Sequence, residues 1–121
     1  MYCRGIRGAT TVESDDSEAI VQATVELLEA IICDNDVHGK DIASAIFSTT
    51  PDLTAAFPAK AARDMGWRHT ALFCCQEIAV PDSLPLCIRV LIQWNTNKTQ
   101  EEIVHVYLNA AKKLRPDISG Q

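Results

Sequence analysis

The nine residues from Leu86 to Trp94, LCIRVLIQW, constrain the fold more than any other segment of the chain. Alternation puts Ile88, Val90, Ile92 and Trp94 on one side of a strand and Cys87, Arg89, Leu91 and Gln93 on the other. The first set is wholly apolar and must line a core. A strand with one fully apolar face belongs in a sheet covered by helices or by a second sheet. Arg89 then stands in mid-strand on the opposite face. A cation there is costly unless an anion meets it.

Other cations share this placement. Arg7 lies in the β-like YCRGIRGAT, Lys60 and Arg63 in FPAKAAR, and Arg115 at the head of a short tail. The chain as a whole is acidic, with net charge −5. Few internal acids are spaced to meet these cations. Convergence on a small ligand with more than one carboxylate or phosphate is the economical reading, because a guanidinium binds carboxylates through two parallel hydrogen bonds and keeps its charge. Each cation also has an ordinary explanation. Arg7 could snorkel from an edge strand, with Gly5 and Ala9 leaving space on its face. Arg89 could pair with Glu77 or Asp52. Lys60 and Arg63, one helical turn apart, could be solvated charge, and Arg115 a helix-terminal residue.

The remaining segments place these residues. Met1 to Ala9 reads as a strand. Ser14 or Ser17 is the expected cap of a helix from Glu18 to about Cys33, whose buried stripe is Ile20, Thr24, Leu27, Leu28 and Ile31. A strand follows from about Ile42 to Thr49. Phe57 to Met65 forms a short helix with Pro58 at its start and Gly66 at its end. Ala71 to Gln76 is a strand, and Pro81 to Pro85 a turn. Thr99 and Glu102 make a capping box for a last helix with Ile103, Val106, Tyr107, Ala110 and Leu114 on its apolar stripe. The order β-α-β-α-β-β-α predicts one α+β domain over residues 1–121, a core of 1–114 and a tail of 115–121. Its mixed sheet carries helices on one face. At this size, a site completed by oligomerisation is plausible.

Several functions are excluded. Acidity and the lack of a basic run argue against nucleic acid, and no apolar run is long enough to span a bilayer. The N-terminus lacks a signal-peptide core, so a cytoplasmic protein is expected. The five cysteines lack a CxxC and the three histidines lack ligand spacing, which predicts no metal site. There is no P-loop, GxGxxG, GxSxG or Ser-His-Asp pattern. With no evident nucleophile or base, the protein either binds without reacting or performs a reaction that needs neither.

Five segments in order resemble the small monofunctional bacterial chorismate mutases of the trimeric pseudo-α/β-barrel class: RGIRGATTVE from Arg4, TPDLTAAFPAKAAR from Thr50, CCQEI from Cys74, CIRV from Cys87 and HVYLNAAKKLRPDIS from His105. The resemblance implies the intramolecular Claisen rearrangement of chorismate to prephenate, on the route to phenylalanine and tyrosine. It also implies no cofactor and a homotrimer with sites between subunits. By resemblance, Arg89 donates to the breaking ether bond, Arg7 clamps a carboxylate with Tyr107 beside it, and Glu77 accepts from the ring hydroxyl. Cys74 lies near that hydroxyl, Phe57 and Ala59 form pocket wall, and Lys60, Arg63 and Arg115 form a cationic rim.

The chain departs from the family pattern in four places. The stretch from Met65 to Trp67 is one residue shorter, Phe73 replaces a small hydroxyl residue, and the tail is short. In a strict strand Cys74 and Glu77 face opposite ways, so they share a pocket only if the chain bends near Gln76. A trimeric module that binds a dicarboxylate without converting it is the alternative. A deaminase-like trimer of related architecture fits the five segments least.

Overall fold

The computed structural model describes residues 1–114. Its five strands form one mixed sheet in the order β3-β2-β4-β1-β5. They are β1 (Tyr2–Thr11), β2 (Ile42–Thr49), β3 (Ala71–Gln76), β4 (Cys87–Thr96) and β5 (Val106–Tyr107). β4 lies in the middle and pairs antiparallel with β1 and β2. β2 with β3, and β1 with β5, run parallel.

Two helices, α1 (Ser17–Asn35) and α2 (Ala59–Asp64), contribute to the core. The whole predicted stripe of α1, from Ile20 to Ile31, is fully buried. It meets the apolar face of β4, where Ile88, Val90, Ile92 and Trp94 are all buried. Ile6 and Phe47 fill the space between strands and helix. Gly8 permits the close approach of α1: a Cβ there would sit 2.7 Å from Cδ1 of Ile31.

The start of α1 corrects the expected cap. Asp16, not Ser14 or Ser17, accepts the Ala19 N–H at 3.0 Å. A carboxylate there also favours the positive helix start. The helix runs two residues past Cys33 and ends where Asp36 turns into the left-handed region with φ 56°.

The expected last helix does not form. The Thr99–Glu102 capping box is present, but it closes only the 3₁₀ turn Gln100–Glu102. The chain then extends into β5 and a second 3₁₀ segment, Asn109–Lys113. Ile103, Val104 and Val106 are β-branched and Tyr107 is aromatic, residues that lose side-chain freedom in a helix and fit a pleated edge. β1 offers such an edge: Gly8 and Ala9 pair with Val106 and Tyr107. Strand alternation then separates the supposed helical stripe. Val106 joins the core beside Leu27 and Ile31, whereas Tyr107 joins Ala9 and Cys87 on the opposite face.

Candidate active site

The face of the sheet away from α1 carries a cavity of about 380 Å³ that brings together Arg7, Ser48, Glu77, Arg89 and Tyr107. Each comes from a different part of the sheet. Arg7 lies on β1, Ser48 on β2, Arg89 on β4 and Tyr107 on β5, and Glu77 immediately follows β3. Arg89 faces Ala9 on one side and Ser48 on the other in the strand register.

Glu77 is held from three directions. Its N–H donates to Thr49 O at 2.9 Å, which carries the β2–β3 ladder one step past Gln76. The hydroxyl of Ser48 donates to Oε2. Nε of Arg89 stands 3.8 Å from Oε1, an ion-pair distance too long for a hydrogen bond. Nε is buried and has no hydrogen-bond partner among the described residues. A buried donor without an acceptor is uncommon. Of the two acids that could pair with Arg89, Asp52 does not: its carboxylate accepts from the Thr50 hydroxyl and from Leu86 N–H at 3.0 Å, closing the turn before β4.

Arg7 is half-buried on the same face, and its own N–H donates to Nδ1 of His105 at 2.9 Å. Tyr107 is buried against Ala9, Cys87 and Ala111. Burial pushes the Cys87 thiol up from its usual range, with Arg89 acting in the opposite sense. It stays a thiol, which makes it a poor nucleophile.

Cys74 is not part of this cavity within one chain. The β2–β3 register runs without a break from Ser44–Ala71 to Thr49–Gln76. No bend forms near Gln76, so strict alternation keeps Cys75, not Cys74, on the face of Ser48 and Glu77. Cys74 packs against the core and lines a second cavity of about 310 Å³ together with Phe57 and Pro58. Cys75 borders both cavities. Ala59 is buried on α2, and Lys60 pairs with Asp64 at 2.9 Å. Arg63 lies farther along, beside Trp67 and Arg68. Arg115 lies outside the described residues. Ser48 is the residue that reading the sequence missed. Its signal was positional, since it faces Arg89 once β2 and β4 are placed side by side.

Among the described residues no group of His, Cys, Asp and Glu is arranged to hold a metal ion, and no helix is long and apolar enough to cross a membrane. The site has a different character: two guanidinium groups, one anchored carboxylate and one phenol around a small cavity. Such a site can bind a compact dianion and present a fixed cation to an oxygen that gains charge.

The profile of chorismate mutase type I matches residues 3–118. The chain belongs to that family. Chorismate mutase AroH of Thermus thermophilus is 51% identical over 118 residues, covering 97% of both chains. Chorismate mutase AroH of Bacillus subtilis (strain 168) is 48% identical over 120 residues, 98% of this chain and 94% of that one. A solved chorismate mutase from Clostridium thermocellum superposes with a TM-score of 0.89 at 52% identity, covering 90% of this chain and 97% of the other. In a chorismate mutase, a cavity with two arginines has a direct chemical sense, because a rearrangement within one molecule needs no covalent partner.

Proposed function

We propose that this chain is a chorismate mutase, an isomerase that converts chorismate to prephenate in the synthesis of phenylalanine and tyrosine. The observation that carries the reading is the convergence of two guanidinium groups, Arg7 and Arg89, on one cavity beside an anchored Glu77. Chorismate carries two carboxylates and an ether oxygen. Its rearrangement breaks the ether C–O bond while a C–C bond forms within the same molecule.

The protein contributes in two ways. Holding the enolpyruvyl arm over the ring removes much of the conformational cost of reaching the transition state. Arg7 and Tyr107 do this by clamping a carboxylate. Charge separates as the ether bond breaks, negative on oxygen and positive on the ring. Arg89 stabilises the oxygen, and a preorganised donor of this kind is worth about 3–4 kcal/mol. Glu77 accepts from the ring hydroxyl and faces the positive ring.

The active unit is a homotrimer with sites between subunits. Two features support this. Phe57 and Cys74 stand in a cavity separate from that of Arg7 and Arg89, so a neighbouring subunit is the natural source of the second wall. The open sheet face also carries an exposed apolar row, with Ile46 opposite both Phe73 and Leu91. Lys60, Arg63 and Arg115 make the cationic rim that draws in the dianion. All five cysteines are free, which fits a reducing cytoplasm.

The test follows chorismate absorbance with purified protein and measures prephenate after acid conversion to phenylpyruvate. Rapid loss with prephenate formed is expected. Arg89→Gln should lower kcat by about 10²–10³ with a smaller change in KM. Chorismate left intact by the folded protein would favour a non-catalytic dicarboxylate-binding module.

A further inference from the structure

β1 pairs along one edge with β4 over its whole length, from Tyr2 to Thr11. Among the described residues, its other edge has only the two residues of β5 to pair with. Side chains serve the rest of that edge. Gln100 behaves as a substitute peptide: Nε2 donates to Gly5 O at 2.7 Å, and Oε1 accepts Gly5 N–H at 3.0 Å. Two residues on, Nδ1 of His105 accepts Arg7 N–H at 2.9 Å. Two residues further, the main chain takes over, with Leu108 N–H donating to Ala9 O at 2.9 Å. Gly5, Arg7 and Ala9 are thus met in turn by an amide side chain, an imidazole and a backbone.

Of these contacts, the one at His105 lies between two residues of the cavity. Its acceptor holds the main chain of Arg7, and its own chain reaches Tyr107 two residues later. We propose that His105 is a positioning residue: by accepting the Arg7 N–H through Nδ1 it sets Arg7 and Tyr107 at the spacing that grips a substrate carboxylate. The inference rests on the mutase reading for the contact between these two residues and the substrate. The ring acts here as a shaped acceptor, because Nδ1 receives the Arg7 N–H.

This role separates two amide replacements. Asparagine places Oδ1 near the position of Nδ1, whereas glutamine carries its oxygen one methylene farther out. His105→Asn, His105→Gln and His105→Ala are compared in the intact protein by steady-state kinetics with chorismate and by amide hydrogen exchange at Arg7, read by NMR. The Gln and Ala variants should lose about 3–10-fold in kcat/KM, mainly through KM, and exchange the Arg7 amide faster. The Asn variant should stay within about twofold of the parent in both readouts.

Parent-like kinetics in the Ala variant, with a fast-exchanging Arg7 amide, would make the bond structural only and overturn the proposal. Equal losses in the Asn and Gln variants would overturn it as well, and that pair decides the matter if the Ala variant does not fold. A parent without turnover would sink the mutase reading alone. Chorismate affinity by calorimetry then replaces kinetics, with the same ranking required.

Discussion

Ser48 and Arg89 are cross-strand partners in the β2–β4 register, and they address the two oxygens of one carboxylate. Ser48 donates to Oε2 of Glu77, and Nε of Arg89 stands 3.8 Å from Oε1. The serine therefore fixes the acid without neutralising it and leaves the guanidinium short of a full hydrogen bond. An Arg89 that closed onto Glu77 would have less to offer a substrate oxygen.

Ser48→Ala removes that restraint. Hydrogen bonds to charged groups contribute about 1.5–3 kcal/mol, and Glu77 is partly solvated, so the lower end applies. Turnover should fall about tenfold, with KM little changed, because the loss bears on orientation in the transition state. Ser48→Thr keeps the hydroxyl and should retain most of the turnover. Steady-state kinetics on the two variants check this; equal activity in Ser48→Ala and the parent would remove Ser48 from the site.

Much of this site was legible in the sequence because alternation is a local property. Once LCIRVLIQW is a strand, Ile88 to Trp94 face the core and Arg89 does not. Likewise Cys74 and Glu77 must point opposite ways, as the unbroken β2–β3 register shows. What could not be read locally was pairing. Thr99 and Glu102 carry a sound helix-start signal, but it is overruled because the residues beyond it are β-branched and β1 presents an edge to Val106 and Tyr107. Ser48 escaped for the same reason, since its importance comes from a neighbour 41 positions away that only the sheet brings opposite.

Asp15 ties the loop before α2 to the entry of α1. Its carboxylate accepts from Thr54 N–H at 2.9 Å, the Thr54 hydroxyl at 2.7 Å and Ala55 N–H at 3.0 Å. The Thr54 hydroxyl and N–H lead in holding its pKa below the ordinary 3.8. A depressed folded-state pKa contributes stability that is present above the unfolded value and is lost as pH falls through the folded one. The parent should therefore be more stable than Asp15→Asn near neutrality, with the gap closing below about pH 3.8 as the aspartate protonates. Urea midpoints of the two proteins across that range test the sign; a gap that widens in acid would refute it.

Gly8→Ala tests the closeness of β1 to α1. The new Cβ would lie 2.7 Å from Cδ1 of Ile31 and 3.2 Å from both Cδ1 of Leu27 and Cγ1 of Val90. All three neighbours are buried, so their ends have little room to swing away. Overpacking of this kind costs about 1–3 kcal/mol. A lower urea midpoint with an unchanged slope is the expected result. Because Gly8 lies between Arg7 and Ala9 on β1, kcat/KM should fall further than stability alone accounts for.

Leu91→Asp addresses the open face of the sheet. Leu91 faces Ile46, which faces Phe73, and these residues are 36%, 36% and 66% exposed in the single chain. Leu91 also faces Arg7 on its other side, so the row runs directly into the cavity. A charge placed in such a row would lose its hydration wherever another subunit covers it, at a cost of several kcal/mol. Sedimentation at micromolar concentration should show the parent as a trimer and Leu91→Asp as a smaller species. If Phe57 and Cys74 of a neighbouring chain complete the site, activity should fall with assembly. It should then return in part as protein concentration is raised, a dependence that direct damage to Arg7 would not produce. A parent that sediments as a monomer while turning over chorismate would refute both the trimer and the shared site.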